Sequence, residues 1–250
     1  SALTDISEAF CRTELLIGEE ALQHLRSTHV LLVGLGGVGG ITAHLLVRAG
    51  IGRLTLVDGD RVSPSNLNRQ MVAYQDTLGA FKTEALAQEL RRIQPDVNLT
   101  LVTQYLTPEE VAPFFEQCRP DFVVDAIDTL APKTELLVEA HKRSIPVVSS
   151  MGAGAKLDPT ALHIEDISAS HTCALAKAVR KALRERGVHK GIPVVFSTEK
   201  ALPHAIQSTT AEPGKCSTVG TISYMPNLFG CFLASYVLRQ LVTPYLPTTD

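Results

Sequence analysis

The sequence predicts an α/β fold, a Rossmann-like, doubly wound and mostly parallel sheet. The apolar run HVLLV at 29–33 breaks into the glycine-rich turn GLGGVG at 34–39, and a helical segment follows. A second strand, RLTLVDGD at 53–60, then completes a βαβ unit within about 30 residues. Strands and helices continue to alternate up to residue 150, which is typical of a parallel sheet covered by helices on both faces.

Apolar periodicity and turn residues place the remaining elements. The N-terminal segment at 7–27 has apolar residues at helical spacing. Beyond the βαβ unit we predict helices near 79–94, 108–117 and 132–143, and strands near 98–103, 122–128 and 145–150. After Met151 the alternation of strands and helices becomes less regular, and we expect this half of the chain to extend the same sheet. It contains a strand at 162–167, a helix near 172–186, a strand at 194–198 and a loop from 199 to 219.

The uncharged stretch between Lys215 and Arg239 predicts a buried helix. It contains Pro226, Asn227 and several hydroxyl residues, whereas a membrane span is more continuously apolar. We place Pro226 near the first turn of this helix, where a missing N–H group costs no helical hydrogen bond. We therefore predict no membrane span.

Length and composition predict one cytoplasmic domain. A chain of 250 residues with 45% apolar residues can bury a full core. The formal charge of −3 gives no global reason to expect a nucleic-acid or membrane-surface protein. The five cysteines form no CxxC pair, which argues for a reducing compartment and against a four-thiolate zinc site. The first ten residues, SALTDISEAF, lack the apolar core of a signal peptide.

The glycine-rich turn and the acid after the second strand predict a nucleotide pocket. Gly34, Gly36, Gly37 and Gly39 let main-chain N–H groups and a helix N-terminus approach a phosphate. Asp58, at the end of the second strand, can accept hydrogen bonds from both ribose hydroxyls. These features fit ATP and NAD equally well.

Asn66, Arg69 and Lys82, which come later in the chain, favour ATP over NAD. Asn66 and Arg69 lie in SPSNLNRQ, and Lys82 follows near the start of a helix. Hydride transfer needs no such cationic pair. In adenylation a carboxylate attacks the α-phosphate, pyrophosphate leaves, and arginine, lysine and a metal meet the developing charge. We therefore assign Asn66 to a phosphate oxygen, and Arg69 and Lys82 to the charge on the phosphates.

The strand FVVDAID predicts a magnesium ligand. It carries Asp125 and Asp128 at the carboxyl end of a central strand, the edge where open α/β sheets bind ligands. A carboxylate there can hold Mg²⁺, which bridges phosphate oxygens. We favour Asp128 for this role and interpret Asp125 as a structural or supporting acid.

Together these motifs resemble the ubiquitin-activating-type superfamily (ThiF/MoeB/HesA), which includes the ThiF and MoeB adenylyltransferases. The matching parts are GLGGVG, VDGD, NLNRQ, GAFKTE and DAIDT, in the family's order over roughly residues 10–155. The resemblance implies the same roles for Asp58, Asn66, Arg69, Lys82 and Asp128. It also implies that Arg12 reaches a neighbouring subunit's ATP, and hence a homodimer with a shared catalytic site; an ordinary exposed arginine is the alternative.

Departures from that superfamily indicate one branch. Sulfur-carrier adenylyltransferases usually bring two CxxC pairs, which are absent here. The segments GAGAKLDPT, VVFSTE and GTISYMPNLFG resemble the TcdA/CsdL branch, the tRNA threonylcarbamoyladenosine dehydratases. This resemblance implies ATP-dependent dehydration, a cyclisation of threonylcarbamoyladenosine in tRNA through an acyl adenylate. It divides the chain into a Rossmann-like ATP-binding half, 1–150, and a substrate-binding and dimerisation half, 151–250.

A protein that binds tRNA is expected to carry a basic surface, and the helix near 172–186 provides one. Lys177, Arg180, Lys181 and Arg184 lie at helical spacing on one face, with Leu175, Val179 and Leu183 on the other. Such a face can follow a phosphate backbone, with Arg186, His189 and Lys190 beside it. A solvated helix face is the alternative.

Other functions stay open at this point. The adenylated group can instead be the C-terminus of a small ubiquitin-like sulfur carrier, or the chain can be an NAD-dependent oxidoreductase, which leaves Arg69, Lys82 and Asp128 unexplained. Cys216 lies where thioester-forming relatives place their nucleophile, so a sulfur-relay role with a cysteine-desulfurase or sulfur-acceptor partner is a further hypothesis. The glycine-rich second half leaves room for a monovalent cation.

Overall fold

The computed structural model describes residues 6–208 and 217–248. Seven strands form one sheet in the order β3-β2-β1-β4-β5-β7-β6. All pairs are parallel except β6 with β7, which are antiparallel at one edge. The strands are β1 (His29–Val33), β2 (Arg53–Val57), β3 (Asn98–Val102), β4 (Phe122–Asp125), β5 (Val147–Ser150), β6 (Leu162–Asp166) and β7 (Pro193–Ser197). The predicted fold class is confirmed, and the second half does extend the sheet.

Nine helices are described. They are α1 (Ile6–Ala9), α2 (Cys11–Ile17), α3 (Glu19–Ser27), α4 (Gly39–Ala49), α5 (Lys82–Ile93), α6 (Pro108–Cys118), α7 (Leu130–Lys142), α8 (Ala174–Glu185) and α9 (Tyr224–Val242). Helices α3, α4, α5 and α9 pack on one face of the sheet, and α6, α7 and α8 on the other. The strands are therefore buried on both faces: Val30 and Leu32 of β1 join one core, and Leu31 and Val33 the other.

Helix α9 is the predicted buried helix, with Pro226 in its first turn. It crosses α4 at Gly230, where an added Cβ would lie 2.2 Å from Ile41 Cγ2 and 2.5 Å from the Val38 carbonyl oxygen. The start of α9 also covers the glycine-rich turn, since a Cβ on Gly37 would lie 2.9 Å from Pro226 Cβ. Within the described segments, no helix combines the length and the apolar character needed to cross a membrane.

The structure corrects several element predictions. The N-terminal helical segment is broken at Gly18, which adopts φ +88° between α2 and α3. Helix α5 begins at Lys82, because Gly79 turns the chain with φ +86° and Phe81 pairs with Arg61 in an isolated bridge. The loop predicted from 199 to 219 is wrong in part. Its described ends form an antiparallel pair, β8 (Ile206–Ser208) and β9 (Ser217–Val219).

Candidate active site

The site lies at the carboxyl ends of β1 and β4, neighbouring strands whose connections leave toward opposite faces of the sheet. Gly34 directly follows β1 with φ +96°, and a Cβ there would lie 2.5 Å from the Ala126 carbonyl oxygen. A Cβ on Gly39 would lie 1.7 Å from the Gly34 carbonyl oxygen. The turn therefore has no room for side chains at these two positions. Helix α4 begins at Gly39, so its N-terminus can face an anion.

Asp58 is fixed at the end of β2. Its carboxylate accepts the Leu35 N–H at 2.8 Å and the Asp60 N–H at 2.7 Å. Burial raises the pKa of Asp58 above its ordinary value, although these backbone hydrogen bonds and the nearby Lys82 oppose the rise. The first bond ties the acid directly to the glycine-rich turn. A ribose and a phosphate can therefore be bound side by side.

Asn66 and Arg69 are held by a short 3-10 turn at 64–66. Asn66 is 7% exposed, and its side-chain oxygen accepts the Ser63 N–H at 2.9 Å. Its NH₂ group is thus the donor suited to a phosphate oxygen. Arg69 donates to the Ser65 carbonyl at 3.0 Å and to Asn68 Oδ1 at 2.9 Å. Its Cγ lies 3.3 Å from the position of a Gly37 Cβ, so the arginine runs along the glycine-rich turn.

Lys82 begins α5 and is only 5% exposed. Its Nζ lies 3.6 Å from Asp60 Oδ2, and its charge also lowers the pKa of Asp58. Burial lowers the pKa of Arg69, while the charge of Asp128 raises it. Lys82 is therefore coupled to Asp58, and Arg69 to Asp128, and both Asp58 and Arg69 contact the glycine-rich turn.

The two carboxylates of FVVDAID have different surroundings. Asp125 is fully buried, pairs with Lys133 Nζ at 2.7 Å and accepts the Ser149 hydroxyl at 2.6 Å. Lys133 also donates to the carbonyl oxygens of Ile127 and Ser150, so one ammonium joins the ends of β4 and β5. Asp128 is exposed beside Arg69. Asp125 therefore has structural partners in the core, and Asp128 lies at the exposed side of the strand end, where its role as a metal ligand stays a prediction.

Two residues near the site were missed by sequence reasoning. Lys133 was detectable in principle, because a buried strand carrying an acid needs a buried cation. Gln70 gave no such signal. It is 7% exposed, its Nε2 lies 3.6 Å from the position of a Gly36 Cβ, and its Oε1 has no hydrogen-bond partner in the described structure.

Arg12 lies on α2, apart from the glycine-rich turn in sequence. It is exposed, and Leu15 and Leu16, three and four residues further along the same helix, are 89% and 80% exposed. Residues at this spacing lie on one helix face. Arg12 therefore belongs to an apolar, outward-facing surface. Cys216 falls outside the described residues.

The basic face of α8 is present in part. Lys177, Lys181 and Arg184 are exposed at the expected spacing, whereas Arg180 is half-buried and donates to the carbonyl and hydroxyl oxygens of Ser170 at 2.9 and 2.7 Å. Arg186, predicted beside this face, forms an ion pair with Glu135. Three cations therefore form the free part of the surface. The start of α8 lies at the carboxyl edge of the sheet, because a Cβ on Gly152 would be 3.6 Å from Cys173 Sγ.

Known proteins resemble the chain over most of its length. A tRNA threonylcarbamoyladenosine dehydratase of Bacillus subtilis (strain 168) is 42% identical over 193 residues, covering 77% of this chain and 76% of the relative. The protein of that name in Escherichia coli (strain K12) is 34% identical over 252 residues, 94% of both chains. A crystal structure of the E. coli protein, TcdA, in complex with ATP superimposes with a TM-score of 0.86 at 32% identity and covers 98% of both chains. These matches confirm the resemblance to this branch. Since the model of the ThiF family matches residues 10–249, the chain belongs to the ThiF family.

Proposed function

We propose that this protein is an ATP-dependent tRNA threonylcarbamoyladenosine dehydratase. The carboxylate of the modified adenosine attacks the α-phosphate of ATP and releases pyrophosphate. A nitrogen of the same group then attacks the activated acyl carbon, AMP leaves, and a five-membered ring is closed. The main support for this function is that one edge of the sheet brings together the glycine-rich turn, Asp58, Arg69, Lys82 and Asp128. In addition, the similar proteins of Bacillus subtilis and Escherichia coli bear this name.

Each residue has a role that fits its surroundings. Asp58 binds the ribose, and the N–H groups of the glycine-rich turn together with Asn66 bind phosphate oxygens. Arg69 and Lys82 stabilise the negative charge that grows on the leaving pyrophosphate. Lys82 is suited to this step because its present partner, Asp60, is half-exposed and 3.6 Å away. The second step is intramolecular, so positioning alone supplies much of its rate.

Magnesium fits the donor set around Asp128. Mg²⁺ commonly binds one or two carboxylates, phosphate oxygens and water. Within the described residues, no group of three or more His, Cys, Asp or Glu side chains could enclose a metal. A metal shared between one exposed carboxylate and the phosphates of ATP suits this arrangement. When bound, it would offset charge on the phosphates.

The tRNA-binding and dimerisation roles belong to residues 151–250 and to the N-terminal helices. Lys177, Lys181 and Arg184 provide the exposed cations for a phosphate backbone. The apolar surface around Arg12 supports a homodimer in which this arginine completes the partner's site. Free thiols at all described cysteines support a cytoplasmic location. A sulfur partner at Cys216 and a monovalent cation stay predictions.

The test is conversion of the modified nucleoside. The protein is incubated with ATP, Mg²⁺ and tRNA bearing threonylcarbamoyladenosine, and the nucleosides are analysed by mass spectrometry. We expect a product one water lighter and one AMP released per conversion, with no product from tRNA that carries unmodified adenosine. Intact ATP binding without conversion would overturn the proposal.

Two controls separate the alternative functions. Pyrophosphate exchange that requires a diglycine-ended carrier protein, and not tRNA, would indicate a sulfur-carrier adenylyltransferase. Tight NAD binding with negligible ATP binding would indicate an oxidoreductase. We expect neither result.

A further inference from the structure

Lys156 is a buried cation that has no role in the function proposed above. Its side chain is 6% exposed, and its Nζ donates to the Gly152 carbonyl oxygen at 2.6 Å. In the described part of the chain, no carboxylate pairs with it. A lysine ammonium has three donors, so this single bond leaves two for another acceptor.

Lys156 lies at the same edge of the sheet as the candidate active site. Lys133 binds the carbonyl oxygens of Ile127 and Ser150 at 2.7 and 2.8 Å, so the segments that follow β4 and β5 are adjacent there. Gly152, which binds Lys156, comes two residues after Ser150. A Cβ on Gly152 would also lie 3.7 Å from Lys156 Nζ and 3.6 Å from Cys173 Sγ at the start of α8. The ammonium thus lies beside the segment that follows β5, which is adjacent to the end of β4 and to the start of α8.

The backbone around Lys156 is held on both sides. Ala155 adopts φ +60°, a left-handed conformation that is unfavourable for a residue with a Cβ. Its N–H donates to the Gly220 carbonyl at 2.8 Å, and its carbonyl accepts the Leu202 N–H at 2.9 Å. On the other side of Lys156, the Leu157 N–H donates to both oxygens of the Glu199 carboxylate at 3.0 Å. These bonds fix the direction of the lysine side chain.

A buried charge without a counter-charge opposes folding, and an anionic ligand offsets this cost when it binds. The phosphates of ATP already have Arg69, Lys82 and the glycine-rich turn. The other anion that must reach this edge is the carboxylate of the acyl substrate. We infer that Lys156 binds the free carboxylate of the threonylcarbamoyl group and presents it to the α-phosphate. The inference rests on the proposed function and makes Lys156 a specificity-determining residue of the same site.

This role has a kinetic signature. The carboxylate loses its charge when it is adenylated, so the ammonium interacts with the substrate more strongly than with the product of the first step. Removing the charge should therefore raise KM for modified tRNA more than it lowers kcat. No proton or electron is transferred by Lys156.

The test measures recognition of the carboxylate directly. Affinities for tRNA with and without the threonylcarbamoyl group are compared in the presence of a non-hydrolysable ATP analogue. The wild type should prefer the modified tRNA, and Lys156→Met should reduce that preference by about tenfold or more, as expected for a hydrogen bond between charged groups. Lys156→Arg should restore part of it. Equal weakening of both tRNAs in Lys156→Met, or no weakening, would overturn the inference.

Controls separate this role from a structural one. Lys156→Gln keeps a donor for the Gly152 carbonyl without the charge, so it should also lose the preference even if Lys156→Met folds poorly. Lys142→Met, at a largely exposed lysine on α7, should behave as the wild type. ATP affinity should change less than twofold in every variant. A wild type that fails to convert modified tRNA overturns the proposed function and this inference together. Conversion with an unchanged preference in both Lys156→Met and Lys156→Gln overturns the inference alone.

Discussion

Two aspartates three residues apart show how position decides the role of a side chain. Asp125 is the last residue of β4 and points into the core, where Lys133 and Ser149 satisfy it. Asp128 has passed the end of the strand and is exposed beside Arg69. The motif DAIDT predicts that one acid faces the ligand. It does not reveal Lys133 as the partner of the other, because that lysine lies on the following helix.

Replacing each of the two acids by alanine should have different effects. One change should remove activity and the other should lower stability. Asp128→Ala should nearly abolish nucleoside conversion, a loss of about 100-fold or more, while the thermal unfolding midpoint stays close to that of the wild type. Asp125→Ala should destabilise the fold by about 3–5 kcal/mol, because it leaves the Lys133 charge buried and unpaired. Conversion assays and urea unfolding measure the two effects. Full activity of Asp128→Ala would remove this residue from the metal role.

Asp58 should make ATP binding depend on pH. Burial raises its pKa, so folding favours the protonated form of Asp58. The resulting contribution to the stability of the folded protein is present at low pH and is lost as the pH rises through the raised pKa. Ribose binding favours the ionised form, so ATP affinity should fall as the pH drops through that pKa, which lies above the ordinary aspartate value. Calorimetric titration with ATP at constant ionic strength measures this. Asp58→Asn should bind weakly with a flatter pH dependence in the same range, and an equally steep dependence would assign the effect to another group.

At the scale of elements, the glycine-rich turn and α8 differ in how much the sequence reveals. The spacing of GLGGVG predicts the turn because only glycine fits where the backbone of Gly34 meets Ala126 and Gly39. For α8 the periodicity predicts the helix and its basic face, but not that Arg180 binds Ser170 or that Arg186 pairs with Glu135. Those partners come from a neighbouring loop and from α7, so helical spacing alone cannot identify them.

Neighbouring glycines in α4 provide a matched pair of variants. Gly39→Ala places a methyl group 1.7 Å from the Gly34 carbonyl oxygen, so we expect a loss of about 3 kcal/mol or more of stability and much weaker ATP binding. The methyl group of Gly40→Ala has only ordinary van der Waals contacts, with Met71 Cβ at 3.8 Å and Met71 N at 4.0 Å. This second change should leave ATP affinity intact and raise stability by about 0.5–1 kcal/mol, as alanine favours a helix. Thermal unfolding and ATP titration compare the two, and equal behaviour would contradict the steric explanation.

At the scale of the whole molecule, the alternation of strands and helices predicts the doubly wound sheet, whereas the second half of the chain does not repeat that alternation. Strand β6 runs antiparallel at the sheet edge, and within the described residues the short strands β8 and β9 form a separate two-stranded sheet. Three-residue strands have too few residues to show alternation, which is why this region was predicted as a loop. The long helix α9 was predictable because its uncharged stretch is too polar for a membrane and too apolar for the surface.

A shared site should be visible in mixed dimers. If Arg12 completes the partner's site, mixing inactive Arg12→Ala with inactive Asp128→Ala should restore up to about a quarter of wild-type conversion, because one site in half of the dimers then carries both residues. Leu15→Asp with Leu16→Asp should yield monomers, measured by sedimentation, because they charge the surface around Arg12. Stable dimers with no restored activity in the mixture would contradict a shared site.

The crossing of α9 over α4 has a consequence for biosynthesis. Gly37 and Val38, within the glycine-rich turn, lie next to Pro226 and Gly230 of α9, which follows all seven strands of the main sheet along the chain. A nascent chain therefore displays all its nucleotide-binding motifs before the helix that packs against them has been synthesised. ATP binding should consequently appear only after α9 has been synthesised, and ribosome-bound fragments that end before Tyr224 should leave the turn uncovered on that side. The ability to bind ATP would then report that α9 has been synthesised and has packed against the turn.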